Sequence, residues 1–141
     1  NRDDGALKDT LRNAQETGEL VIHLVSFAQA QAMNASAAIL PRSTSEFVHC
    51  GIDSLASTRV APPRVKDAAV AFECRVAQIM GYPQAQPNHH LIFAEVLLAH
   101  ISDDVLNEKG RIDPQRLDLI GRLGGAAYSR TRDTFDLQRP L

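Results

Sequence analysis

Two long stretches in the second half of the chain alternate apolar and polar side chains with a period of two, as β-strands do. In residues 69–80, Phe72 and its alternate neighbours lie on one face and Glu73 lies on the other. A second alternating stretch covers residues 90–101. The connection Gly81–Asn88 contains two prolines and a glycine, which is typical of a hairpin. The two strands are therefore predicted to pair in an antiparallel manner.

The first part of the chain predicts a helix, a strand and a second helix. Residues 10–17 form the first helix, with Asp9 as the N-cap and Gly18 after the last turn. Residues 19–25 are rich in β-formers and apolar on both faces, which predicts a central strand. Residues 27–35 are rich in Ala and Gln and contain no Gly or Pro, which favours a helix.

The remaining segments predict less regular structure. Residues 41–51 indicate a loop with one helical turn, and residues 54–67 an extended connector without a clear period. Residues 115–119 predict a short helix, and Gly121–Gly125 a glycine-rich turn in the tail. This order argues against a doubly wound parallel sheet and favours a β-barrel or an α+β fold with antiparallel strands.

Composition narrows the class of protein. The chain has 141 residues, so residues 1–141 are expected to form a single domain. A net charge of −2 excludes a strongly basic nucleic-acid binder, and no apolar run reaches the roughly 18 residues of a membrane span. Two cysteines are too few for a disulfide scaffold, which favours the cytoplasm. The opening residues Asn1–Gly5 indicate a turn, and a chain that starts with Asn rather than Met suggests a portion of a longer protein.

Two segments are candidates for binding an anion. Lys8 and Thr10 flank the start of the first helix, where free amides, a lysine and a hydroxyl suit a phosphate. The alternative is a helix capped by Asp9, whose carboxylate would repel an anion. Gly121–Gly125 could form an anion-binding nest of backbone amides, or simply a tight turn.

Other chemistry has little support in the sequence. His90 and His100 lie roughly 33 Å apart along an extended strand, too far to share a metal ion. No H-E-x-x-H motif, Cys/His cluster or G-x-S-x-G motif occurs, so neither a zinc site nor a serine hydrolase is predicted. No catalytic residue and no metal ligand is assigned.

Several stretches, in order along nearly the whole chain, resemble the flavin reductase-like, FMN-binding split-barrel family. The resemblance rests on Lys8–Asn13 (KDTLRN), Glu16–Leu20 (ETGEL), Ala32–Ser36 (AMNAS), Ser45–Phe47 (SEF), Phe72–Cys74 (FEC), Ile92–Val96 (IFAEV), Arg111–Pro114 (RIDP), Arg122–Gly125 (RLGG) and Tyr128. The resemblance implies a mainly β protein with short helices, folded as an antiparallel Greek-key split β-barrel. It also implies a homodimer that binds FMN and reduces it with NAD(P)H.

On that resemblance, seven residues are expected to contact the cofactor or to lie beside it. They are Lys8, Asp9, Thr10, Asn13, Arg122, Gly124 and Tyr128. The protein would orient a flavin and a nicotinamide nucleotide rather than supply acid–base groups.

The sequence also departs from the family pattern. Ala94 replaces a glycine, and the family's early strands have no counterpart, so residues 1–141 are expected to be the C-terminal portion of a split barrel that is incomplete in this chain. Two alternatives to a flavin reductase therefore stay open. One is a split-barrel module that binds flavin or another anion without turnover. The other is a dimerising fragment that has no ligand.

Overall fold

The computed structural model describes residues 6–140, which form short helices and antiparallel β-strands. The α-helices are α1 (Asp9–Thr17), α2 (Ala30–Ala35), α3 (Glu46–His49) and α4 (Pro114–Leu117). The strands are β1 (Glu19–Leu24), β2 (Ser54–Leu55), β3 (Arg64–Val65), β4 (Val70–Tyr82), β5 (His89–Ile101), β6 (Ile120–Gly124) and β7 (Ala127–Arg130). Single 3₁₀ turns cover Phe27–Gln29 and Asp103–Val105. The predicted turn at Asn1–Gly5 lies outside the described residues.

The main sheet has three strands in the order β1-β4-β5, and both pairings are antiparallel. The predicted hairpin of the two long strands is therefore confirmed. The expectation that residues 19–25 form a central strand is wrong, because β4 is the central strand of this sheet and β1 lies at its edge. Both faces of β1 are apolar for another reason. Leu24 packs on the core on one face, while Val21 and His23 on the other face line a cavity.

Two hairpins occur where the sequence predicted irregular chain. Within the expected connector 54–67, β2 pairs with β3. In the tail, β6 pairs with β7 around Gly124 and Gly125, which have φ angles of 136° and 54°. Gly121–Gly125 is therefore a strand leading into a hairpin turn, not a tight turn that ends a helix. Strands of two to five residues are too short to show a clear period in the sequence.

The core of the described residues is small. Val70, Val105 and Leu117 are buried together, and Leu24 and Phe72 pack against them. This cluster joins β1 and β4 to α4, and so fixes the chain that leads into the β6–β7 hairpin. Within residues 6–140, no helix is long and apolar enough to cross a membrane.

Candidate functional site

A cavity of 560 Å³, which we call the α1 cavity, is lined by residues of α1, β1 and the segment before β3. Thr10 and Asn13 line it from α1, and Pro62 and Pro63 line it from the segment. Cofactor and small-molecule sites usually have volumes of roughly 300–1,000 Å³. The α1 cavity is therefore large enough for a cofactor, and it includes residues that the sequence singled out.

The N-terminus of α1 lies beside the α1 cavity, since Asp9 and Thr10 of its first turn line that cavity. The backbone is still extended at Lys8, which is the N-cap, and the Lys8 side chain makes no capping hydrogen bond. The prediction of Asp9 as the N-cap is wrong, because Asp9 is already helical and its carboxylate lies 3.9 Å from the Arg12 guanidinium. The first-turn amides have no acceptor within the helix. Together with Lys8 and the Thr10 hydroxyl they can hold an anionic group.

Carboxylates restrict where an anion could bind in the α1 cavity. Asp9, Glu19 and Glu46 all line it, whereas no lysine or arginine of the described chain does. An anionic group is therefore disfavoured inside the cavity. It is favoured only at Lys8–Thr10, which we call the α1 rim: Asp9 and Thr10 line the cavity there, and Lys8 beside them in the chain supplies a cation that offsets the carboxylates.

A second cavity, of 390 Å³, adjoins the first and is called the α2 cavity. The two cavities share His23, Ser36, Ile52 and Val65 as lining residues. The lining of the α2 cavity is mostly apolar and includes Met33 of α2. One elongated ligand could therefore extend from the α1 rim into a mainly apolar space.

His23 lines both cavities, and its hydrogen bond defines which ring nitrogen carries the proton. Its Nε2 accepts a hydrogen bond from the Val65 amide at 3.0 Å. Burial lowers the pKa of His23, and the nearby Arg64 guanidinium lowers that pKa further. The ring is therefore neutral, with its proton on Nδ1, and has a single N–H to donate.

The remaining predicted residues lie in the β6–β7 hairpin. Tyr128 lines a separate cavity of 310 Å³ together with Phe27 and Arg130, and the Arg130 guanidinium stacks 3.8 Å from the centre of the Phe27 ring. Arg122 Nη2 donates to the Gly125 carbonyl at 3.4 Å. We call this space the hairpin cavity.

The seven predicted residues thus fall into two groups. Asp9, Thr10 and Asn13 line the α1 cavity, with Lys8 beside them in the chain. Arg122, Gly124 and Tyr128 belong to the hairpin and line neither the α1 nor the α2 cavity in the part of the chain that the structure describes. Their contacts with a cofactor stay predictions.

Sequence reasoning missed the role of Glu73. Its side chain is fully buried and accepts hydrogen bonds from the Thr58 amide at 2.9 Å, the Arg59 amide at 2.5 Å and His100 Nε2 at 2.5 Å. Burial by itself would raise the pKa of Glu73, but the hydrogen bond from Thr58, with those from His100 and Arg59, lowers the pKa to about 2. The only signal in the sequence is one acidic residue within an otherwise apolar stretch of β4.

Comparison with known proteins agrees with the predicted resemblance. The flavin reductase-like domain family matches residues 6–121. An uncharacterized protein from Deinococcus radiodurans is 39% identical over 141 residues, a match that covers 98% of this chain and 60% of the relative. The chain spans 60–66% of the length of this and two further curated relatives.

Solved structures show the same fold. Component B of nitrilotriacetate monooxygenase from Bacillus cereus is 33% identical, with a TM-score of 0.87 over 96% of this chain and 68% of that one. The 2-nitrobenzoate 2-nitroreductase NbaA of Pseudomonas fluorescens is 29% identical, with a TM-score of 0.82 over 94% and 64%. A split-barrel protein from Shewanella frigidimarina, 18% identical, has a TM-score of 0.81 over 93% and 65%.

These matches confirm the predicted fold class, a mainly β split-barrel fold with short helices, although the sheets described here do not close into a barrel. The resemblance drawn from the ordered motifs is confirmed by the match over residues 6–121. The chain belongs to the flavin reductase-like domain family.

Proposed function

We propose that this chain is the flavin-binding part of an FMN-dependent oxidoreductase that takes its electrons from NAD(P)H. The observation that carries the proposal is the N-terminus of α1, where the Lys8 side chain makes no capping hydrogen bond, beside the α1 cavity, which shares lining residues with the α2 cavity. FMN is an elongated molecule with a phosphate at one end and a flat, largely apolar ring system at the other. Membership of the flavin reductase-like family supports a flavin as the ligand.

The charges of the site set the direction in which FMN would bind. Lys8, Thr10 and the first-turn amides of α1 would hold the phosphate, since they are the cationic and donor groups at the rim. The formally charged residues that line the α2 cavity are Asp53 and Asp67, both acidic. Those carboxylates disfavour a phosphate in the α2 cavity, whereas they do not repel an uncharged ring.

Residues at the junction would orient the ring. Ile52 and Val65, which line both cavities, offer apolar surface to the ring, and neutral His23 has an N–H to donate to a carbonyl or a ring nitrogen. When bound, the flavin supplies the redox chemistry by accepting a hydride from the nicotinamide. The chain's own contribution would be to position the two reactants and to exclude water.

The resemblance also supports a homodimer in the cytoplasm, which we include in the proposal. Leu91, Phe93 and Val96 of β5 are 50%, 49% and 54% exposed, which is unusual for apolar side chains in the middle of a strand. A second copy of the chain would cover them. Sedimentation of the purified chain gives the number of copies directly.

The phosphate assignment is tested by titrating FMN and riboflavin separately into the 141-residue chain and following the quenching of flavin fluorescence. Charge-assisted hydrogen bonds to the phosphate should make FMN bind about tenfold to a hundredfold more tightly than riboflavin. Lys8→Ala and Thr10→Ala should each remove much of this preference and leave riboflavin binding unchanged. Lys109→Ala, in the exposed turn after β5, is the matched control. Equal affinities for FMN and riboflavin in the unmutated chain would refute the assignment.

Turnover separates an enzyme from a binding module. The FMN-loaded chain is mixed with NADH or NADPH, and the loss of reduced nicotinamide absorbance is followed. We expect oxidation of at least one of the two nucleotides. Stoichiometric flavin without any oxidation would select the non-catalytic module instead, and a colourless dimer that ignores FMN would select the fragment without a ligand.

A further inference from the structure

The wall of the α1 cavity opposite α1 is formed by a segment with little regular structure of its own. This segment, Thr58–Val65, reaches β3 only at its last two residues. Pro62, Pro63 and Val65 from it line the α1 cavity. Since a loop of this kind has few internal hydrogen bonds, something else must hold it in place.

Glu73 on the central strand holds the start of the segment. Its carboxylate accepts the amides of Thr58 and Arg59 and also His100 Nε2, and it is fully buried. Hydrogen bonds to an ionised acceptor are about twice as strong as neutral ones, and burial removes competition from water. Glu73 is therefore the strongest anchor of the Thr58–Val65 segment.

Two weaker acceptors hold the rest of the segment, together with the Ser57 hydroxyl, which donates to the Pro62 carbonyl at 2.5 Å. Glu19 Oε2 accepts the Ala61 amide at 2.8 Å, and His23 Nε2 accepts the Val65 amide at 3.0 Å. Both anchors lie on β1, at the edge of the main sheet. Glu19 is more accessible to solvent than Glu73, so its single hydrogen bond is weaker.

All three anchors lie on the same face of the main sheet. The register pairs Val21 with Glu73, and Glu19 and His23 are the neighbours of Val21 two residues to either side. Side chains two apart on one strand share a face, as do directly paired residues. The segment is thus held at successive points by one row of side-chain acceptors.

We propose that Glu73 is a positioning residue for the cofactor site: by anchoring Thr58 and Arg59 it sets where Pro62 and Pro63 stand against the α1 cavity, and thereby the affinity for flavin. The effect on flavin rests on the proposed function. The anchoring of the segment does not, so the two can be tested separately.

The test is Glu73→Gln, measured by amide hydrogen exchange and by FMN titration of the full chain. Glutamine offers one uncharged acceptor oxygen to the Thr58 and Arg59 amides, and its NH₂ group takes the place of the second carboxylate oxygen, so the charge-assisted hydrogen bonds of the segment are lost. We expect the protection of the Thr58 and Arg59 amides to fall at least about tenfold, and FMN to bind about tenfold to a hundredfold more weakly. Amides of the β4–β5 ladder should keep their protection, which a general loss of stability would not allow.

Glu108→Gln is the matched control, because Glu108 is an exposed carboxylate in the turn after β5 and lines none of the cavities above. It should change neither quantity. A folded Glu73→Gln chain that keeps both the amide protection and the FMN affinity would overturn the inference.

Two further outcomes are distinguishable. If the unmutated chain does not bind FMN, the proposed function fails, and exchange at Thr58 and Arg59 still decides whether Glu73 anchors the segment. If Glu73→Gln does not fold, Glu19→Ala removes the acceptor of the Ala61 amide. We then expect the protection of the Ala61 amide to fall and riboflavin, which carries no phosphate and so does not sense the lost charge, to bind about threefold to tenfold more weakly; unchanged protection and affinity would count against the anchoring row.

Discussion

The neutral state of His23 makes a testable prediction about stability at mildly acidic pH. His23 Nε2 can accept the Val65 amide only while the ring is neutral. Burial lowers the pKa of His23 in the folded chain, and the Arg64 guanidinium adds to that effect. Protonation would place an N–H where the acceptor now stands, opposite the Val65 amide, and would add a cation beside Arg64.

The sign and the size of the effect follow from proton linkage. In the unfolded chain His23 titrates near its ordinary pKa of about 6.5. Above that pH the His23 ring is neutral in both the folded and the unfolded chain, so it adds no pH dependence to the free energy of unfolding. Below it the unfolded chain takes up a proton that the folded chain excludes, so the free energy of unfolding falls as the pH falls. The slope is at most about 1.4 kcal/mol per pH unit, and it ends at the lowered folded pKa.

The assay compares the unmutated chain with His23→Gln by urea denaturation across this pH range. Glutamine keeps an acceptor oxygen for the Val65 amide and does not titrate. The unmutated chain should therefore lose stability relative to the variant as the pH falls below about 6.5. Glu73, on the same sheet face, has a pKa of about 2 and does not titrate in this window.

His89→Gln serves as the control, because His89 is exposed beside the β4–β5 connection. Its stability curve should run parallel to that of the unmutated chain near pH 6. If the curves of His23→Gln and the unmutated chain were parallel, or if their difference had the opposite sign, the neutral-ring assignment would be refuted.

Two further predictions concern stability. Leu117 is 4% exposed and packs on Val70, so Leu117→Ala should lower the free energy of unfolding by about 2–5 kcal/mol. The control is Leu137→Ala, at a side chain that is 82% exposed, which should change the free energy of unfolding by less than about 0.5 kcal/mol. Equal effects of these two variants would contradict the core assignment. Gly18 ends α1 with a φ angle of 69°, and a Cβ atom added there would meet no other atom within 4 Å. Gly18→Ala should therefore lower the free energy of unfolding by about 1–2 kcal/mol, from backbone strain alone. All three variants are measured by urea denaturation, and an unchanged midpoint for Gly18→Ala would rule out the left-handed conformation.

The sequence was most informative where the pattern is long and local. The strands β4 and β5 each have 13 residues and alternate over most of that length, so both they and their antiparallel pairing could be predicted. The end of α1 at Gly18 could be predicted because a glycine is the residue that most readily adopts φ 69°. The family could be predicted because its motifs occur in order along the chain.

The candidate site was predictable only in part. Thr10 and Asn13, which the resemblance places at or beside the cofactor, line the α1 cavity, and their contact with a cofactor stays a prediction. The placement of Tyr128 in a separate cavity could not be foreseen, because the short strands β6 and β7 left no periodic pattern from which to fold the hairpin. Nor did the apolar faces of β1 reveal that it lies at the edge of the sheet formed by residues 6–140, since a cavity wall and a core face require similar side chains.

By itself the sequence determined which segments are helix and long strand, and to which family the chain belongs, because side-chain periods and ordered motifs are properties of neighbouring residues. Only the tertiary structure decided what the polar side chains contact. Glu73 accepts the Arg59 amide across 14 positions and His100 across 27. Those partners meet only after the sheet has formed and the loops between them have closed, so no local pattern records them.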